Sequence, residues 1–193
     1  MAVKGPWILT QSTRKFDLAN PKPSQVSIED IAAGLSRICR FNGQLKSALD
    51  DVIYSVAQHS VYVKRYLEMI DAPKKARPWG LLHDAPEAFY GDVTSPLKSL
   101  LPEYSVYEER GAVAVRERFS VPYDAEVIKH VKYADKQLVL MESVVVTSMP
   151  SRLWDMPEES THTMKDLDPD FYPWSPAKSR QEFLKEFSSL ELE

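Results

Sequence analysis

The chain has a single cysteine, Cys39. That excludes a disulfide framework and every zinc site built on cysteine pairs. Histidine is scarce as well: His59, His83, His130 and His162 are the four present. Any metal site must therefore be assembled from these and from carboxylates. Long apolar runs are missing, and no stretch approaches the roughly 18 consecutive apolar residues of a membrane-spanning helix. The first residues, Met1 to Trp7, lack both a long apolar run and a small-residue cleavage site, so no secretory signal is read there and a cytoplasmic protein is expected. A surplus of cations is missing too. Twenty-four Lys and Arg against 28 Asp and Glu leave a net charge of −4, which argues against a nucleic-acid polymer as partner but allows a local basic pocket. What remains is 193 residues, 44% apolar and 27% charged, the size and balance of one folded domain.

Along the chain, residues 1–26 read as an arm packed on a domain formed by residues 27–193. Trp7-Ile8-Leu9-Thr10 and Lys15-Phe16-Asp17-Leu18 are short β-prone runs around a polar turn, and a small hairpin is expected. Ser27 caps a first helix with Asp30 in its first turn. Ile28, Ile31, Leu35 and Ile38 line one face, and Arg40-Phe41-Asn42-Gly43 is expected to end it. A second helix runs from Ser55 to Ile70, opened by a Ser55/Gln58 capping box, with Val56, His59, Val63, Leu67 and Ile70 on one stripe. A third, from Trp79 to Tyr90, contains Pro86, which takes the hydrogen bond from the Leu82 carbonyl and should kink it. Pro96 and Pro102 punctuate a loop and the start of a charged helix over 103–119. Asp124 to Ser148 is the clearest long helix, residues 149–176 read as a wrapping loop, and 181–190 as a closing amphipathic helix. The fold class is all-α, a helical bundle with a small N-terminal β-hairpin.

His59, the adjacent pair His83-Asp84, and Asp135 sit on three different predicted helices, each at or beside a core-facing stripe. Two imidazoles and two carboxylates suit one divalent cation, Co²⁺, Mn²⁺, Zn²⁺, Fe²⁺ or Ni²⁺, with Mg²⁺ also in the set. They leave positions open for water, as a catalytic site requires. Neighbours on a regular helix point about 100° apart, so His83 and Asp84 reach one ion only if the helix is distorted, and Pro86 is the expected cause. Glu87, four residues after His83, shares its helical face and is placed to hold or deprotonate a water; Asp92 follows as a second acid. Singly, each has a plainer reading. His59 alone reads as a satisfied core histidine, and Asp135 can pair with Lys132 or Lys136. It is the combination that points to a metal.

The order His, His-Asp, Asp resembles the HD-domain metal-dependent phosphohydrolases. The blocks Ser55-Val56-Ala57-Gln58-His59-Ser60, Leu81-Leu82-His83-Asp84-Ala85-Pro86-Glu87-Ala88 and Gly91-Asp92-Val93-Thr94-Ser95-Pro96-Leu97-Lys98 look like those of small bacterial and phage members. These are 5'-deoxynucleotidases and compact enzymes that strip phosphates from deoxynucleoside triphosphates, dATP among them. The resemblance covers roughly residues 27–148. It implies His59, His83, Asp84 and Asp135 as ligands of one divalent metal, with Glu87 and Asp92 assisting the attacking water. It also implies Arg40, Phe41, Gly43, Pro96, Lys98 and Lys132 as substrate contacts. Arg40-Phe41 takes the place of an Arg-aromatic pair, with Phe41 where tryptophan is more usual, and Gly43 leaves room for a purine. Lys98 and Lys132 would hold phosphate, although each alone reads as a solvated surface charge. A homo-oligomer, a dimer or larger ring, is implied as well.

Histidine scarcity separates relatives: only His130 lies between Asp84 and Asp135, which disfavours two-metal phosphodiesterases. Glu87 is followed by Ala88 rather than Asp, which weakens a guanosine tetraphosphate hydrolase. The expectation is metal-dependent hydrolysis of deoxynucleotide phosphate; the alternatives are a catalytically silent nucleotide sensor or hydrolysis of another small phosphorylated metabolite.

Overall fold

A computed structural model describes residues 5–148 and 160–192 of the chain. Its elements are strands β1 (Trp7–Leu9) and β2 (Lys15–Asp17), then helices α1 (Ile28–Leu35), α2 (Val56–Met69), α3 (Arg77–Leu82), α4 (Glu87–Tyr90) and α5 (Ser95–Leu100). They continue with α6 (Pro102–Phe119), α7 (Ala125–Val146), α8 (Met164–Leu167) and α9 (Pro176–Ser188). The protein is mostly helical with one two-stranded antiparallel hairpin, in the register Trp7↔Asp17, Ile8↔Phe16, Leu9↔Lys15. Phe16 is fully buried and stacks on Phe89 of α4 with ring centroids 3.9 Å apart, which ties the hairpin to the helices. Among the described residues no helix is long and apolar enough to cross a membrane.

The caps fall where short polar side chains precede apolar periodicity. Ser55 Oγ accepts from the Gln58 amide at 3.2 Å, and Asp124 Oδ1 accepts from the Glu126 and Val127 amides at 3.0 and 2.9 Å. Each such cap stabilises its helix by about 1 kcal/mol. The Ser55/Gln58 capping box is only half formed. Gln58 turns its carboxamide to the Trp174 amide at 2.7 Å and the Tyr172 carbonyl at 3.0 Å, so it anchors the C-terminal segment over the start of α2.

α2 is the centre of the fold, packed by α3, α7 and α9. It is buried almost all round rather than along one stripe, and residues Val56 to Lys64 are all buried. Tyr62, Tyr66 and Leu67 are wholly enclosed. Full burial of an aliphatic or aromatic side chain is worth roughly 1.5–3 kcal/mol. Lys64, buried on α2, is paired: its Nζ meets Glu68 at 2.9 Å and Glu186 at 2.7 Å. α1 approaches α4 closely at Gly34, where an added Cβ would stand 2.8 Å from Ala88 Cβ.

Three boundaries differ from the sequence expectation. α1 ends at Leu35, not at 40–43; Ser36 turns its hydroxyl back onto the Ala33 carbonyl at 3.1 Å. Residues Arg40–Gly43 form a separate tight turn in which Phe41, Asn42 and Gly43 all have positive φ. The expected loop at Pro96 holds the short helix α5, since a proline in the first turn loses no helical hydrogen bond. Part of the expected wrapping loop, 149–159, lies outside the described residues; the remainder contains α8.

Candidate metal centre

The helix containing the His-Asp pair is broken as its proline demands. Pro86 has no N–H for the Leu82 carbonyl, which accepts instead from the Ala85 amide at 3.0 Å; the Asp84 carbonyl then accepts from the Glu87 amide at 3.0 Å. α3 therefore stops at Leu82 and α4 starts at Glu87, and the tight turns between them replace the regular helical spacing. The result is that His83 and Asp84 both face α2. His59 Nε2, His83 Nε2 and an Asp84 carboxylate oxygen belong to a group whose ligand atoms all lie within 4.8 Å of one another. Asp135 reaches the same place from α7, with Oδ1 3.1 Å from His59 Nε2 and 3.9 Å from His83 Nε2.

Each imidazole is held by its other nitrogen. His83 Nδ1 donates to the Gly80 carbonyl at 2.9 Å, and His59 Nδ1 lies 2.7 Å from Glu142 Oε1. That leaves both Nε2 atoms buried without a hydrogen-bond partner while facing carboxylates. A buried polar atom without a partner is costly and asks for an explanation. A divalent cation is the species that two imidazole lone pairs and two carboxylates fit. Asp135 keeps 41% of its side chain accessible, so the centre is open to water on that side.

The charges are strongly coupled. Burial and Arg40 both press the His59 pKa down, but the Glu142 charge, the Asp135 carboxylate 3.1 Å from Nε2 and the hydrogen bond that Nδ1 donates to Glu142 outweigh them and carry it up to about 9. For Asp135, burial pushes upward, while His59 with its Nε2 3.1 Å away, His83 and Arg40 hold it well below the ordinary carboxylate range. Glu87 moves the other way: burial, then repulsion by Asp84 and Asp92, raises it well above its ordinary value against the pull of Lys98 and Arg40. Asp92 is raised chiefly by burial. Glu87 Oε2 is buried and unpartnered, and Lys98 Nζ stands 3.8 Å from Glu87 Oε1 and 2.7 Å from Glu108.

Arg40 stands at this centre. A short antiparallel pairing places it there: the Arg40 amide donates to the Tyr54 carbonyl at 2.8 Å, beside the Cys39–Ser55 bridge. Its Nη1 lies 3.5 Å from Asp84 Oδ2 and its Nε 3.3 Å from Glu142 Oε2. Phe41 packs part of its ring on the core, with the Arg40 guanidinium 5.6 Å from the ring centroid. Gly43 is exposed, and a Cβ there would meet nothing within 4 Å. Pro96 is exposed at the start of α5. Lys132 is exposed one turn before Asp135 and makes no ion pair among the described residues. His130 is half-buried on α7, and His162 meets the Tyr66 hydroxyl at 3.1 Å.

The residue that sequence reasoning passes over is Glu142. It is fully buried and is joined by His59, Tyr54 and Arg40. Its signal is visible in the chain: it is the lone charge in the run Leu138 to Val146, seven residues after Asp135 and so on the same face of α7.

Comparison with known proteins gives relatives but no activity. The chain matches no protein-family model. It is 35% identical over 147 residues to an uncharacterized protein of Rhodobacter capsulatus, covering 73% of each chain. It is 36% identical over 136 residues to the uncharacterized protein YfdR of Escherichia coli, covering 70% of each.

Proposed function

The chain belongs to one family with YfdR of Escherichia coli and the Rhodobacter capsulatus protein, and for it we propose metal-dependent hydrolysis of phosphate from deoxynucleotides, the chemistry of the HD-domain phosphohydrolases its motifs resemble. One observation carries the reading: two buried imidazole nitrogens without hydrogen-bond partners converge on the Asp84 and Asp135 carboxylates, beside an accessible edge. His59, His83, Asp84 and Asp135 would hold one divalent cation of the Co²⁺, Mn²⁺, Zn²⁺, Fe²⁺ or Ni²⁺ class, or Mg²⁺. Bound there, it would supply a Lewis acid for a phosphoryl oxygen and an acidified water.

The chain's own groups do the rest. Glu87 takes the water proton as the water oxygen bonds to phosphorus and the ester or anhydride P–O bond breaks; Asp92 is the second acid. Burial and the Asp84 and Asp92 charges raise the proton affinity of the Glu87 carboxyl, which strengthens it as a base for that exchange. Arg40 and Lys98 flank the same carboxylates and neutralise charge on the phosphoryl oxygens. Lys132 reaches the outer phosphates, Phe41 stacks on the base, and Gly43 leaves space beside it for a purine. The enzyme acts in the cytoplasm on a free nucleotide, as a homo-oligomer.

The test is a panel of dAMP, dGMP, dATP and dGTP with Co²⁺, Mn²⁺, Mg²⁺ and Zn²⁺ in turn, reading phosphate, pyrophosphate and triphosphate. Release from at least one nucleotide, abolished in Asp84→Ala, supports the reading. Tight nucleotide binding with no release under any metal means a sensor instead.

A further inference from the structure

We infer that Glu142 is a positioning residue that fixes the His59 ring for metal binding and ties Arg40 to the same carboxylate. This role rests on the metal-centre reading above.

The geometry separates Glu142 from the ligands. Its Oε1 meets His59 at Nδ1, on the side of the ring away from the Nε2 that faces Asp84 and Asp135. It therefore acts on the centre only through the imidazole. The same Oε1 accepts from the Tyr54 hydroxyl at 2.6 Å, and Arg40 Nε stands 3.3 Å from Oε2. Among the described residues the three polar groups set against this carboxylate, Tyr54 Oη, His59 Nδ1 and Arg40 Nε, can each donate, which keeps it an acceptor and assigns the His59 proton to Nδ1. With that proton in place, the Nε2 lone pair is the one offered to a cation.

The burial is informative too. Glu142 and His59 are both fully enclosed, and Tyr54 is as well. An ionised carboxylate in such a place is unfavourable unless it is paired and hydrogen-bonded. Its neighbours on α7, Leu138, Leu140 and Met141, are buried and apolar, so Glu142 is the one charge set into that stretch. Leucine here would strand the Tyr54 hydroxyl, His59 Nδ1 and Arg40 Nε without their acceptor, whereas the carboxylate holds all three and gives His59 a fixed orientation and a more basic nitrogen. Tyr54 and Arg40 come from the two paired segments before α2, so the Arg40-Tyr54 backbone bond places both donors against Glu142 at once. His83 is served by a backbone carbonyl instead, so the two imidazoles are oriented by different means and provide an internal control.

The experiment is a Co²⁺ titration of the metal-free full chain, wild type beside Glu142→Gln, with no nucleotide present. Gln is isosteric but neutral and brings an N–H₂ that can face Nδ1. The expected result is a Co²⁺ affinity lowered about 10- to 100-fold in E142Q, in a variant that melts lower but keeps a cooperative transition, since Gln takes away the charge that the buried Arg40 Nε faces. The Co²⁺-loaded wild type should also show two solvent-protected ring N–H proton signals, from His59 and His83; E142Q should lose that of His59 and keep that of His83. Equal affinity in the two proteins overturns the role. So does rapid solvent exchange of the His59 signal in the wild type, a readout that stands even if the variant fails to fold. A wild type that takes up no Co²⁺ overturns the metal reading itself.

Discussion

Arg40 Nη1 lies 3.5 Å from Asp84 Oδ2, so a cation already neutralises one of the proposed metal ligands. The consequence is a pair of effects with opposite sign. Arg40→Gln removes a charge that repels an incoming divalent ion and competes for Asp84, so metal affinity should rise. It also removes the proposed donor to the phosphoryl oxygens, so turnover should fall by roughly 10²–10³-fold, the usual loss for one such donor. Co²⁺ titration and phosphate release on the same preparation read both. A variant that loses both together would make Arg40 a purely structural part of the centre.

Glu87 sets a conflict between stability and activity. Burial and the charges of Asp84 and Asp92 raise its pKa well above the ordinary 4.5. From that ordinary value up to the raised one, the folded chain keeps a proton that the unfolded chain has lost. Stability of the metal-free protein therefore falls as pH rises through this window. Glu87→Gln mimics the protonated form and removes the fall. The variant should melt higher than wild type at pH 7 to 8, while phosphate release drops by roughly 10²–10⁴-fold. Melting curves across pH, taken on both proteins, check the sign.

His59 predicts proton release on metal binding. Its pKa is raised from 6.5 to about 9 in the metal-free chain, so near pH 7.5 the ring carries a proton that a cation must displace. About one proton per Co²⁺ should leave near pH 7.5, declining as pH passes 9, as read by calorimetry in buffers of different ionisation enthalpy. The linked stability has the matching sign: the His59 contribution is fully present below about 6.5 and is lost as pH rises through about 9. Metal uptake with no proton release would place the cation elsewhere.

What the sequence makes legible here is what is local. Ser27, Ser55 and Asp124 announce their helices because a cap bonds to an amide only two or three residues away. Pro86 announces the break because the lost hydrogen bond belongs to Leu82 in the same turn. The position of Arg40 depends on a pairing of Cys39 with Ser55 across a turn of left-handed residues, and no periodicity encodes that. The end of α1 is misplaced for the same reason, since Ile38 continues the apolar spacing after the helix has stopped. Glu142 is a different failure. A stripe count scores the apolar positions of α7 and passes over the one acid inside them, which is the residue joined to His59, Tyr54 and Arg40.

The central claim is that one divalent ion, held by His59, His83, Asp84 and Asp135, drives phosphate release from deoxynucleotides. The most direct measurement is phosphate release by the full chain stripped with a chelator and then returned to stoichiometric Co²⁺ or Mn²⁺, beside His83→Ala treated in the same way. The account predicts no release after stripping, recovery on return of about one equivalent of metal, and no recovery in H83A. Release that survives stripping, or that returns equally in H83A, would contradict it.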